Sequence, residues 1–226
     1  MKSQKRRTHL SFAVVCEGQS EWYYFNFMKG IKRYPFRLKP TIPSSANYMT
    51  IFKKAKELLK TEEYNAVFCV FDLDKVKTDG KIENLIAECR RNRNKKIIPI
   101  FSFPCIEVWF LFHFLEHYSS RYYESCEEIM KALKVFVPGY SKERVFLANP
   151  SFFTSMNRDD RKNLAFENGK ASIKELSDLQ EAFYQTFTEV GSFEQFLEKC
   201  QKCNSLAQNC DKCIEEFGSS VLSGKR

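Results

Sequence analysis

Four apolar, β-forming runs punctuate the first 118 positions of the chain: HLSFAVVCE (9–17), RLKPTIPS (37–44), NAVFCVFDLD (65–74) and KKIIPIFSF (95–103). Each predicts a strand, and the prolines of the second limit it to a short one near a sheet edge. Helical spacing fills the gaps between them. It starts at a Ser20 cap and runs to about Lys32 through Trp22, Phe25, Phe27 and Met28. It recurs over 48–60 through Ile51, Ala55, Leu58 and Leu59, and over 81–93 through Ile82, Leu85, Ile86 and Cys89. Residues 105–118 read as a helix that is apolar almost throughout. The strong strands are continuously apolar rather than alternating, as strands covered on both faces must be. Strand and helix in alternation predict an α/β fold with a mainly parallel four-stranded sheet flanked by helices. After 118 no strand pattern recurs. Residues 121–134, 170–190 and 193–217 read as helices, separated by VPGYSKERVF and the polar NPSFFTSMNRDDRKN. The expected organisation is an α/β core over 1–118 and a helical extension over 119–226.

The strands end on acids. Glu17 closes the first, Asp72 and Asp74 close the third, and Glu107 lies just past the fourth, while Glu21 follows Glu17 by one helical turn. In an open α/β sheet these ends share the rim where ligands bind. Carboxylates gathered there would repel and raise one another's pKa values unless a cation intervened. All-oxygen ligation with open water positions is the habit of magnesium and manganese. Residues two apart on a strand face the same side, so Asp72 and Asp74 are expected to grip one ion together. Gly18 would let backbone approach a phosphate, and the amides of the helix starting near Ser20 suit an anion. The pattern reads as metal-assisted phosphodiester chemistry. The plainer alternative is that Glu17 or Glu107 pairs with Lys75 or an arginine.

Composition narrows the partners. The formal charge is +8, which favours an anionic one. Lys2, Lys5, Arg6 and Arg7 crowd the start of the chain, and RRNRNKK (90–96) sets Arg90, Arg91, Arg93, Lys95 and Lys96 within seven positions. Either cluster is a nucleic-acid contact or a solvated surface. Neither a membrane-spanning run nor a signal-peptide core occurs, so a cytoplasmic protein is expected. Without a GxxxxGK[ST] motif the chain has no P-loop of its own.

Nine cysteines, an odd number, argue against a disulfide framework. Cys16, Cys69 and Cys105 sit in apolar runs and read as small core residues. CQKCNSLAQNCDKC (200–213) has two reading frames. Cys200, Cys203, Cys210 and Cys213 have the layout of a four-thiolate structural zinc knuckle. The same stretch also traces a helical stripe continuing from Leu197, although Asn204 and Asn209 could turn a hairpin. His113 and His117 are four apart on a helix, but HFLEH is not the metalloprotease order, and His113 between two phenylalanines reads as a core histidine.

Glu17-Gly18 after one strand and Asp72-Leu73-Asp74 after another resemble the Toprim domain of topoisomerases, primases and overcoming-lysogenization-defect nucleases. More closely, CEGQSEWYYFNF, VFCVFDLDK and FPCIEVWFLFHF, in that order, with GYSK at 139–142, resemble the RloB-like family of bacterial Toprim proteins linked to defence and abortive infection. The likeness covers roughly 9–145. It implies a nuclease cleaving RNA, including transfer RNA, or DNA, beside an ABC-type or AAA-type ATPase. It also implies Glu17 as general acid/base, Asp72 and Asp74 as metal-binding pair, and Glu21 and Glu107 as further metal ligands. Lys75 would stabilise charge on the scissile phosphate, and Tyr140 and Lys142 are read as phosphate contacts. The competing reading is a non-catalytic nucleic-acid-binding or adaptor subunit of a defence complex.

Overall fold

A computed structural model of the chain describes residues 11–40, 47–61, 63–92, 96–174, 176–202 and 210–222. The first apolar run forms β1 (Phe12–Cys16), buried at every position. Phe12, Val14 and Cys16 face one core and Ala13 and Val15 the other, as the two-residue period of a strand dictates. The chain then forms α1 (Gln19–Lys32), β2 (Phe36–Lys39), α2 (Tyr48–Lys60), β3 (Ala66–Asp72), α3 (Asp74–Thr78), α4 (Ile82–Asn92) and β4 (Ile97–Phe103). Tyr24, Phe25 and Met28 of α1 cover one face of the sheet. Ile51, Phe52 and Ala55 of α2, with Leu85 and Cys89 of α4, cover the opposite face.

The strand order is β2-β1-β3-β4-β5, where β5 is Phe187–Thr188. β1 pairs in parallel with β2 and β3, and β3 with β4. Connections therefore run one way from β1 to β2 and the other way from β2 across to β3. That reversal opens a crevice at the carboxyl ends of β1 and β3, where doubly wound sheets bind ligands.

The sheet is thus mixed and five-stranded, not four-stranded. β5 is antiparallel to β4, pairing Ser102 with Thr188 and Phe103 with Phe187, inside the stretch expected to be one helix over 170–190. A two-residue ladder leaves no periodic trace to read. Beyond it, Glu189 accepts a hydrogen bond from the Phe101 amide at 3.0 Å and one from the Leu222 amide at 2.6 Å, tying the last helix to the sheet edge.

The other elements are helices: α5 (Glu107–Phe112), α6 (Cys126–Phe136), α7 (Arg144–Leu147), α8 (Pro150–Met156), α9 (Asp159–Ile173), α10 (Leu179–Ala182), α11 (Val190–Lys202) and α12 (Cys210–Ser220). α5, at 6 residues, is less than half the length expected for 105–118. The polar segment at 149–163, expected to be a connector, makes α8 and the start of α9. Asn149 caps α8 by accepting from the Ser151 amide, and Pro150 sits at the first helical position. The single helix expected over 193–217 is two, α11 and α12.

The expected boundary at 118 does not divide the core. Phe193 of α11 lies 4.5 Å ring to ring from Phe68 of β3, and Phe196 lies 5.8 Å from Phe12 of β1. Trp109, fully buried on α5, is wedged between α9 and α11. A Cβ at Gly191 would stand 2.9 Å from its ring, so only glycine fits that approach. No helix among the described residues is long and apolar enough to cross a membrane.

Candidate functional site

β1, β3 and β4 carry their terminal residues to one rim. Glu17, one residue past β1 and 9% exposed, accepts a hydrogen bond from the Asp72 amide at 3.2 Å, so its carboxylate lies across the reversal crevice. Asp72 ends β3, and its Oδ1 accepts from the Ile106 amide at 2.9 Å, which joins β3 to the segment leading into α5. Leu73 already has helical backbone angles, and Asp74 opens α3. The expectation that Asp72 and Asp74 project from one side of a strand therefore fails: the strand stops between them. Asp74 instead accepts from the amide of its neighbour Lys75.

Glu21 is buried in the first turn of α1, and its Oε1 has no hydrogen-bond partner. Its Oε2 lies 2.9 Å from where a Cβ would stand on Gly18. The space that Gly18 clears is thus taken by the chain's own carboxylate, where the sequence suggested a phosphate. Ser20 does not cap α1 either, since Gly18 is the capping residue. Its hydroxyl donates to Glu107 Oε1 at 2.7 Å, and the Tyr140 hydroxyl donates to the same oxygen at 2.7 Å. Lys142 Nζ lies 3.0 Å from Glu107 Oε2. Tyr140 and Lys142 of the GYSK stretch therefore serve the fully buried Glu107 directly, and Tyr140, buried with its hydroxyl spent on that carboxylate, is not the phosphate contact expected. Cys126 Sγ lies 3.3 Å from Glu107 Oε2 and 3.0 Å from Lys142 Nζ. Cys126 is bonded to Cys105, which was expected to be a free core cysteine, and the bond holds the start of α6 against the segment that carries Glu107.

Electrostatically these groups behave as one cluster. Burial, then the Asp72 carboxylate, push Glu17 up to about 8. Glu21 is raised by burial and by Glu17 and Glu107. Asp72 is raised by burial and by Glu21 and Glu107, against the opposing pull of Lys142. Asp74 is raised chiefly by burial. Burial alone would lower Lys142, yet Glu107, Asp72 and Glu21 lift it above the usual lysine value.

A cavity of about 310 Å³ opens at the same rim, lined by Glu17, Lys75, Asn47, Tyr48, Val76 and Lys81 among others. Glu17 is the one member of the acid cluster that borders it. Lys75, expected beside the aspartates, is on this wall and exposed.

The donor set is hard oxygen, with an orphaned carboxylate oxygen on Glu21, and suits magnesium or manganese. Among the described residues, however, no three of these acids bring one oxygen each within 4.8 Å of one another. The one such group among the described residues combines Glu107 with Cys105 and Cys126, whose sulfurs are bonded to each other. The arrangement fits an ion gripped by one or two carboxylates with waters completing its shell, as magnesium prefers, rather than a closed cage.

The expected nucleic-acid residues separate. Lys142 is at the acids. Arg90 and Arg91 end α4 and Lys96 precedes β4, so they sit at the amino edge of the sheet, the length of a seven-residue strand away, roughly 20 Å. Arg91 pairs with Glu88 at 2.8 Å and Lys96 with Asp211 at 2.6 Å, so both charges are partly answered within the chain. Arg93, Lys95 and the cluster Lys2, Lys5, Arg6 and Arg7 lie outside the described residues. Of the four knuckle cysteines, Cys200 is buried on α11 and Cys213 half-buried on α12, both against the aromatic core. Cys203 and the Cys210 side chain lie outside the described residues. His113 is buried, its Nδ1 is 2.8 Å from the Trp109 carbonyl oxygen, and burial lowers it to about 4, which suits a neutral core histidine.

A sequence model of RloB-like proteins matches residues 12–197. No curated protein and no solved structure matches the chain.

Proposed function

The chain belongs to the RloB-like protein family, and on that premise we propose that it is a divalent-metal-dependent nuclease of the Toprim type. It cleaves nucleic-acid backbone in bacterial defence against phage, beside a partner ATPase of the ABC or AAA kind. The observation that carries this reading is the gathering of buried Glu17, Glu21 and Glu107 and half-buried Asp72 at one rim, answered among the described residues by Lys142 and, at Glu17, by the exposed Lys75. Buried like charges are costly, and a chain of net +8 has no need of them for solubility. A bound dication removes that cost.

Asp72 and Glu17 would hold magnesium or manganese, with Glu21 turned to it from α1. When bound, the ion supplies charge neutralisation at the phosphate and a more acidic water. The chain's own residues do the rest. Glu17, the one acid of the cluster that borders the cavity, would exchange a proton with water or with a leaving oxygen through whichever of its oxygens the ion leaves free. Lys75, on the cavity wall, sets a cation beside the phosphate. Glu107, pinned by Ser20, Tyr140 and Lys142, aims the lysine at the cluster and keeps β4 and α1 in register with it.

The test is cleavage of mixed cellular RNA and plasmid DNA by the purified chain, alone and with its ATPase, in magnesium, manganese or EDTA. Cleavage that needs the metal and vanishes in Glu17→Gln and Asp72→Asn supports the reading. Metal-independent binding without cleavage, even with the ATPase, replaces it with an adaptor role.

A further inference from the structure

Outside the acid cluster, the rim carries a second construction that the chemistry above does not use. Lys77 lies one turn after Asp74 on α3. Its ammonium stands 5.0 Å from the ring centre of Tyr184, 5.1 Å from Tyr122 and 5.3 Å from Phe103. It also donates to the Tyr122 hydroxyl. Tyr122 stacks on the buried Phe103 with the two rings 10° from parallel. Next in the chain, the Arg121 guanidinium lies 4.7 Å from the Tyr123 ring centre.

These residues come from three distant parts of the sequence. Phe103 ends β4, Tyr122 belongs to the segment between α5 and α6, and Tyr184 follows α10 on the way into β5. The antiparallel pairing of β5 with β4 delivers Tyr184 to the carboxyl rim. Tyr123 N donates to Thr186 Oγ1 at 2.8 Å, which holds the Tyr122 segment beside it.

Phe103 alone accounts for packing. The tyrosines do not: Tyr122 is 39% exposed and Tyr184 is 68% exposed. Two tyrosine rings that reach water beside a cation, one backed by Phe103, are the combination that stacks unpaired bases while holding the adjoining phosphates. A duplex hides its base faces in its own stack, so such a platform cannot engage it in this way. Residues i and i+3 on a helix are roughly 5–6 Å apart at Cβ. The lysine that anchors the platform is therefore rooted one helical turn from Asp74.

We infer that Tyr184 and Tyr122, with Lys77 between them, bind an unpaired base flanking the phosphate presented to the acid cluster, so that the substrate is single-stranded or looped nucleic acid. The inference rests on the nuclease reading for its placement and concerns which substrate that site takes.

Fluorescence anisotropy of the full chain in EDTA tests it. The probes are a labelled mixed-sequence 12-nucleotide RNA, its DNA counterpart, and the blunt duplex of each. The expected result is tighter binding of single strands than of duplexes. Tyr184→Ala should then weaken single-strand binding roughly 5- to 100-fold while leaving duplex binding alone, and Tyr184→Phe should restore it. The side chain is largely exposed, so the alanine variant should fold. Tyr122→Ala should weaken the same binding with an unchanged circular-dichroism spectrum. Wild-type preference for duplex, absence of single-strand binding, or a Tyr184→Ala affinity equal to wild type would each overturn the inference. The two readings fail separately. Tyr184-dependent binding without cleavage sinks the nuclease alone, and cleavage with Tyr184-independent binding sinks the platform alone.

Discussion

Glu17 makes the cost of the acid cluster measurable. Its carboxyl is raised by burial and by Asp72 from an ordinary 4.5 to about 8, so the folded chain holds a proton that the unfolded chain has already released. The sign follows. A carboxyl raised in the folded state favours folding at low pH, and that contribution is lost as pH rises from about 4.5 through 8. Between pH 5 and 7 the loss from this one group comes to about 2–3 kcal/mol, at about 1.4 kcal/mol per tenfold change in acidity. For a chain of this size that is a fall in Tm of roughly 5–10 °C. Glu17→Gln keeps an oxygen to accept from the Asp72 amide but cannot ionise. The assay is thermal unfolding of both proteins in EDTA from pH 5 to 8. The difference between the curves reports Glu17 together with the relief its loss gives Glu21, with the variant gaining on the wild type as pH rises. Magnesium should stabilise the wild type increasingly over the same range, because it competes with the proton for the cluster. Parallel curves for the two proteins would refute the electrostatic account of the rim.

Two predictions concern the frame around the site. Gly191→Ala would drive a Cβ to 2.9 Å from the Trp109 ring, and overpacking of a buried contact costs about 1–3 kcal/mol, readable as a lowered urea midpoint with an unchanged slope. A midpoint equal to wild type would show that α11 approaches Trp109 less closely than described. Reducing the Cys105–Cys126 bond, which spans a sequence separation of 21, should cost about 3 kcal/mol in Tm measurements with and without a phosphine reductant. Cys126→Ala should be indifferent to the reductant, and a wild type equally indifferent would count against the cross-link.

Much of the fold was legible because burial leaves a composition. β1, β3 and β4 are continuous apolar runs, and a strand covered on both faces has to be. The acids were legible for a related reason: a carboxylate after such a run is out of place unless something answers it. Features joined only by tertiary contact were not legible. Ser20 and Glu107 are 87 residues apart and Tyr140 a further 33, so the network that pins Glu107 has no local pattern. Asp72 and Asp74 looked like strand neighbours because a chain that turns into a helix after Leu73 uses the same residue types. Arg90, Arg91 and Lys96 cluster in sequence at the rim opposite the acids, since charge density along the chain does not say which end of a strand it flanks. β5 needed its partner to exist at all. The Asn149-Pro150 cap of α8, by contrast, was a readable signal inside a segment set aside as polar.

The central claim is that the carboxylates at the ends of β1 and β3 share a divalent ion. Crystals of the chain soaked in manganese and measured at its absorption edge test it directly. The account predicts an anomalous peak at the rim, about 2.1 Å from oxygens of Asp72 and Glu17, that is lost in Asp72→Asn. A wild-type crystal with no peak there, its acids intact and in place, would contradict it.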